Sequence, residues 1–190
     1  MEKNIIYFEK KGVSNTNRTI EAARKRAEEL GIKDVVVASS HGGTALKVAE
    51  AFQKMKENIV AITISSSFGE EGWVMTEEER KKLIVKGIRV LTCLHSLGDN
   101  VSSAFIEKNG GTSIEEVVRE TLYRFSQGMK VCVEIVMMAA DAGLIDVDKE
   151  VIAIAGTGEG ADTAVVVKPS YPRKFQSLEI REIIAKPRIP

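Results

Sequence analysis

A chain of 190 residues that is 44% hydrophobic and 28% charged is long enough to bury one core of ordinary domain size. Its 27 lysines and arginines balance 27 aspartates and glutamates, so the basic excess of a nucleic-acid binder is absent. No run of about 18 apolar residues offers a membrane span, so the expected partners include neither nucleic acid nor membrane.

The N-terminal stretch MEKNIIYFEKKG turns charged too soon for a secretory leader. Two cysteines, Cys93 and Cys132, make no disulfide framework, and a reducing cytoplasm is the expected compartment. Residues 5–8 form a short β-prone run. Residues 19–30 then place Ile20, Ala23, Ala27 and Leu30 on one helical face, which Gly31 ends. Residues 35–38 are a continuous apolar strand of the kind buried on both faces of a parallel sheet. A helix over 44–55 follows, with Ala45, Val48, Ala49 and Phe52 inward, and residues 59–64 form the next strand. Thr76 reads as an N-cap, with Glu79 completing a capping box ahead of a strand at 88–91.

A helical region comes next. Thr112 or Ser113 caps a helix that runs to about Ser126, Gly128 marks a break, and an apolar helix spans 129–142. The last strands are 151–155 and 164–167, separated by GTGEGADT. A proline-bearing tail from Lys168 holds the amphipathic stretch SLEIREII. Alternating strands and helices predict a single α/β domain over residues 1–190, with three layers and a mostly parallel sheet. Such sheets bind ligands outside the carboxyl ends of their strands, so the residues leaving each strand are the candidate site.

Five strand exits share one composition. The first carries Gly12, Ser14, Asn15, Thr16, Asn17 and Arg18; the second Ser39, Ser40, His41, Gly42, Gly43 and Thr44. The third carries Ser65, Ser66, Ser67, Phe68 and Gly69; the fourth Thr92, Cys93, His95, Ser96, Gly98 and Asn100; the fifth Gly156, Thr157, Gly158, Gly160 and Thr163. Turns favour these residues anyway, so the convergence of five such loops on one edge is the informative point. The second exit has the clearest mechanism. A helix opening there presents unpaired N–H groups to an anion, Gly42 and Gly43 let backbone approach, and Ser39, Ser40 and Thr44 add hydroxyls. A capped turn with no ligand fits the same residues.

GTGEGADT matches a G-x-G-x-x-A spacing, but the run after it reads as a strand, whereas a dinucleotide fingerprint must open a helix. It is read as a loop between strands, either folded over a ligand with Thr157, Thr163 and backbone N–H groups as donors or exposed as a hairpin. His41, His95 and Cys93 lack the paired spacing of a zinc site, so no metal is expected. No G-x-S-x-G elbow accompanies His41–Gly42–Gly43, which removes a serine hydrolase. His95 is a ligand contact or a surface residue. Trp73 is a lid for an aromatic ligand or an anchor of its own loop. Cys132, Met137 and Met138 belong to a core or a subunit contact. A homo-oligomer is expected, joined through the helix at 129–142 or through the tail.

The stretches VVVASSHGGTALKVAEAF, IVAITISSS, KGIRVLT and VIAIAGTGEGADTAVVV together resemble the C-terminal domain of pyruvate kinase, over roughly residues 17 to 168. In that family two loops form the phosphate sites of a sugar-phosphate effector. The resemblance implies phosphate binding at Ser39, Ser40, Gly42, Gly43 and Thr44, and more loosely at Gly156, Thr157, Gly158 and Gly160. Nothing matches the kinase's catalytic barrel, so kinase activity is not implied. An insertion at about 94–126 and a tail at about 169–190 have no counterpart in the kinase.

With those additions the chain is similar to stand-alone archaeal members of the group, some of which carry flavin mononucleotide (FMN). The resemblance therefore implies FMN as cofactor. Residues 39–44 would cradle its phosphate, Ser65–Ser67 and Asn15–Thr16 would meet the ribityl hydroxyls, and Phe68, Trp73 and Met75 would wall the ring by loop position. Two functions follow: a flavin-dependent oxidoreductase, or a non-catalytic module that senses a phosphorylated metabolite such as a sugar phosphate. A purely structural subunit leaves the five polar exits unexplained. No acid–base pair names a substrate.

Overall fold

The computed structural model describes residues 2–53 and 58–190. Seven strands form one sheet: β1 (Ile6–Phe8), β2 (Asp34–Ala38), β3 (Asn58–Ile62), β4 (Arg89–Leu91), β5 (Val151–Ala155), β6 (Thr163–Lys168) and β7 (Glu179–Pro187). Their order is β1-β7-β6-β5-β2-β3-β4. β6 is antiparallel to both of its neighbours and every other pair is parallel, so six strands point one way. The predicted three-layer, mostly parallel α/β sheet is what the chain forms.

Strand alternation builds the layers. Val35, Val37, Ile59, Ala61, Ile152 and Ile154 face one side. There they pack on α1 (Thr16–Leu30), α2 (Gly43–Phe52) and α3 (Glu77–Val85) through Ile20, Ala23, Val48, Phe52 and Leu83. Val36, Val60, Ile62, Val151 and Ala153 face the other side, against α6 (Gln127–Asp141). On that side α5 (Ile114–Tyr123) packs on α6. The chain steps from β2 to β3 to β4 through α2 and α3, then returns through α4 (Val101–Asn109), α5 and α6 to lay β5 on the far side of β2. Strand order therefore reverses between β2 and β5.

Several local expectations shift. α1 starts at Thr16 because a 3-10 turn at Val13–Asn15 feeds it, and Leu30 is 37% exposed rather than inward. α2 ends at Phe52; the predicted end at Met55 lies outside the described residues. Ser113 is the α5 cap, accepting the Glu116 N–H at 3.2 Å. Gly128 does not break a helix: it sits in the first turn of α6, capped by Ser126, where a Cβ would collide with the Thr163 side chain.

Of the two proposed oligomer contacts, the helix is occupied within the chain, while the tail keeps Ile180 and Ile189 exposed. α6 is buried on all sides, Lys130 and Glu134 included, and the tail supplies β7, the strand between β1 and β6. α4 and α5 leave apolar side chains exposed at Val101, Phe105, Ile114 and Val117, as α3 does at Ile84 and Val85.

The capping box forms as the spacing predicts: Thr76 Oγ1 accepts the Glu79 N–H at 3.2 Å, and Glu79 accepts the Thr76 N–H at 2.8 Å. That backbone bond, with His41 adding to it, holds the Glu79 carboxyl below the usual glutamate range. Thr76→Ala is expected to cost about 1 kcal/mol in urea denaturation, as N-cap removal generally does. An unchanged midpoint would show that α3 does not depend on its cap.

Candidate functional site

Because β1 to β5 are mutually parallel, all five glycine- and hydroxyl-rich exits emerge at one edge of the sheet. Side-chain contacts gather them into two groups.

The first group joins the β1 exit to the loop between β5 and β6. Asp162 is 0% exposed and organises it. One carboxyl oxygen accepts the Gly12 N–H at 2.8 Å and the Thr157 N–H at 3.2 Å, and the other accepts the Thr163 hydroxyl at 2.9 Å. Thr16 Oγ1 accepts the Ala161 N–H at 3.0 Å. Gly160, at φ 72°, lies against Thr16 and Val13 where no Cβ fits, and a Cβ on Gly156 would meet the Gly160 oxygen at 2.6 Å. These glycines serve the packing of the loop itself. The Thr157 N–H and the buried Thr163 hydroxyl, ligand donors under one of the two readings of this loop, are engaged by Asp162. Gly158 is exposed at φ 69°. Asn15 gives its amide to the Lys10 carbonyl at 2.7 Å. The Thr157 hydroxyl is different: it is buried and has no hydrogen-bond partner among the described residues.

The second group joins the exits of β3 and β4 to α3. Thr63 and Thr92 share a hydroxyl contact of 2.5 Å, and Arg80 Nη2 donates to Thr92 Oγ1 at 2.6 Å. Ser65 caps the turn Ser66–Phe68, accepting the Ser67 N–H at 3.3 Å. Phe68 stacks on Trp73 at 5.6 Å and on His95 at 6.4 Å. Trp73 thus anchors its loop while staying 51% exposed, whereas Met75 belongs to the core beneath α3. His95 Nδ1 contacts Asp99 at 2.7 Å, and Asp99 adopts φ 55°. The loop after β4 is pinned to α6 by Glu134, which accepts the Leu97 N–H at 2.9 Å.

The loop at 39–42 lies beside the second group. His41 Nδ1 approaches Glu79 at 3.3 Å, and a Cβ on Gly42 would touch Leu83 at 3.2 Å. No hydrogen bond ties the loop to residues 156–162 among the described residues. Gly42, at φ 84°, turns the chain into α2. Ser39 is buried, and its hydroxyl accepts the Ala45 N–H at 3.2 Å, while the Leu46 N–H closes on the Gly42 carbonyl at 3.0 Å. The Gly43 and Thr44 N–H groups have no partner among the described residues, Ser40 and Gly43 are exposed, and Thr44 is half-buried.

Burial raises both thiols, Cys132 strongly, so neither is an activated nucleophile. Among the described residues no cluster of three or more His, Cys, Asp or Glu could hold a metal, and no helix is long and apolar enough to cross a membrane. Two open clefts, of about 550 and 580 Å³, are lined by Lys11, Tyr123 and Gln127 and by α5 residues respectively, not by the predicted site residues. Sequence reasoning missed Asp162, Glu134 and Arg80. Asp162 and Glu134 look like ordinary members of a loop and of a helix, and Arg80 like part of a solvated face.

The sheet and its exits define a doubly wound α/β domain with an open helix start at the strand-order reversal. The chain belongs to the family described as pyruvate kinase, alpha/beta domain, whose model matches residues 17–167. That match leaves out β1 and β7, the strands at one side of the sheet. Two crystal structures of pyruvate kinase from Cryptosporidium parvum align over 79% and 85% of this chain, at 14% and 13% identity and a TM-score of 0.43 each. A third, of the same kinase in complex with ADP, aligns over 90% at 14% identity and a TM-score of 0.41. This chain spans only 22%, 24% and 23% of those three kinase chains.

Proposed function

We propose that this chain binds a phosphorylated cofactor, FMN, at the carboxyl edge of its sheet, with the phosphate on the first turn of α2. The observation that carries the reading is the pair of unpartnered N–H groups, Gly43 and Thr44, at the point where strand order reverses. The residues present suit the rest of the group. Ser40 and Thr44 are placed to donate to phosphate oxygens, Ser66 and Ser67 offer exposed hydroxyls to a ribityl chain, and Trp73 offers an exposed indole to a ring. The orphaned Thr157 hydroxyl is a further donor on the same edge. Bound flavin supplies the electron transfer of an oxidoreductase, and the protein supplies position and exclusion of water.

An absorption spectrum of the protein purified from a heterologous host tests this directly. The two-band flavin spectrum, with FMN identified by mass after denaturation, is expected. A colourless protein that takes up no added FMN would sink the cofactor reading and favour a sensing module, with sugar phosphates as the next probes. The loop itself is tested by Gly43→Asp. A Cβ there meets nothing within 4 Å, so the fold should hold, while the new charge faces the anion. Affinity for FMN is expected to fall at least about tenfold, or about 1.4 kcal/mol, at unchanged melting temperature. Full occupancy in the variant would show that the phosphate sits elsewhere.

A further inference from the structure

We infer that Arg80 is a ligand-binding residue, the cationic partner of an anionic oxygen carried by the ligand of the α2 loop. This deepens the phosphate reading above and rests on it.

Among the described residues, Arg24, Arg26, Arg119, Arg124 and Arg181 each pair with glutamates. Arg80 does not, although Glu77, Glu78 and Glu79 precede it directly. No carboxylate lies within ion-pair distance of it among the described residues, and the one hydrogen bond of its guanidinium there goes to Thr92 Oγ1 at 2.6 Å. Glu79, the nearest acid in sequence, is engaged by the Thr76 N–H, the Thr76 hydroxyl and His41.

The guanidinium is held in place. Thr92 is half-buried and contacts Thr63 at 2.5 Å, and Thr63 is 2% exposed, so a hydroxyl pair anchored on a buried threonine sets the position of Arg80 across the ends of β3 and β4. α3 also docks on the α2 loop, through Glu79 at His41 and Leu83 at Gly42. β3 is the neighbour of β2, and adjacent strands lie about 4.8 Å apart, so the cation stands one or two strands from the open N–H groups of Gly43 and Thr44. A guanidinium has five N–H donors in a planar fork that fits paired phosphate oxygens, and here a single donor is engaged.

Equilibrium titration at fixed ionic strength would compare FMN, riboflavin (the same ring without the phosphate) and inorganic phosphate. Arg80→Leu is expected to weaken FMN and phosphate about 10- to 100-fold and to leave riboflavin unchanged. Arg80→Lys should restore part of the loss. Thr92→Val, which removes the hydroxyl that locates the guanidinium, should weaken the same two ligands by a smaller factor. If Arg80→Leu fails to fold, Arg80→Gln, which keeps an N–H for Thr92, gives the same reading. An Arg80 variant that keeps its FMN and phosphate affinity while Gly43→Asp loses them would overturn this assignment and leave the loop reading standing. Equal losses for riboflavin and FMN would mark Arg80 as purely structural. A wild-type protein that binds neither FMN nor phosphate would overturn both readings.

Discussion

Glu134→Ala is expected to remove about 3–5 kcal/mol of stability, a large part of the 5–15 kcal/mol margin typical of folded domains. Lys130 and Glu134 sit one turn apart on α6 with side chains only 9% and 4% exposed, and their charged ends meet at 2.6 Å. The other Glu134 oxygen accepts the Leu97 N–H, and Ser96 donates to the Glu134 carbonyl at 3.2 Å. Truncation leaves a buried ammonium without its counter-ion and a buried N–H without its acceptor. Both losses fall where the loop after β4 is fastened, so Thr92 and His95 should lose their fixed positions with it.

The double variant Lys130→Met, Glu134→Leu isolates the charge. It strands no ion and replaces the pair with apolar volume, so it should recover most of the loss while the Leu97 N–H stays unpaired. Urea denaturation of the three proteins decides the matter. A single Glu134→Ala variant within about 1 kcal/mol of wild type would mean that water reaches Lys130 and that the pair is not effectively buried.

Signals confined to a few neighbouring residues are legible in the amino-acid sequence alone. The valine runs at β2 and β6, the Thr76–Glu79 capping box and the Gly31 stop all depend on neighbours within one or two turns, and all stand where periodicity and capping chemistry place them. The site edge is legible for a related reason. Alternation of strand and helix fixes which end of each strand its polar exit occupies, whatever the order of the strands.

What escapes a sequence reading depends on distant partners. The Asp162 to Gly12 bond spans 150 positions and the Glu134 to Leu97 bond spans 37, so no window of sequence contains both ends. Gly128 reads as a helix break because glycine usually is one; its actual cause is the Thr163 side chain on another element. The tail reads as an appendage because proline and charge dominate it locally, yet β7 completes the sheet through pairing with β1 and β6. Arg80 is hidden by composition, since EEERKK has the pattern of a solvated helical face and the hydroxyl that holds the guanidinium, on Thr92, belongs to a different element.

Asp162→Ala is expected to cost about 3 kcal/mol, from three donors that each lose their acceptor at about 1 kcal/mol or more. The Gly12 N–H, the Thr157 N–H and the Thr163 hydroxyl all converge on this one carboxyl group, and Thr163 is itself 0% exposed. Gly12 and Thr157 are only partly buried, so water can reach them and the total stays near the lower end of that range. At about 2–4 °C per kcal/mol for a chain of this size, melting should fall by roughly 6–12 °C. Asp162→Asn can keep its one oxygen on the Gly12 and Thr157 N–H groups and turn its NH₂ to the Thr163 hydroxyl, which accepts as well as donates, so a smaller loss of about 1 kcal/mol is expected.

The consequence reaches the candidate site, because Asp162 is the link between the β1 exit and the glycine-rich loop that carries the unpartnered Thr157 hydroxyl. Limited proteolysis should therefore cut the loop at 156–161 faster in Asp162→Ala than in Glu134→Ala at matched overall stability. Equal cleavage rates in the two variants would show that the loop is held by Gly160 packing on Thr16 and Val13 rather than by the Asp162 carboxyl group.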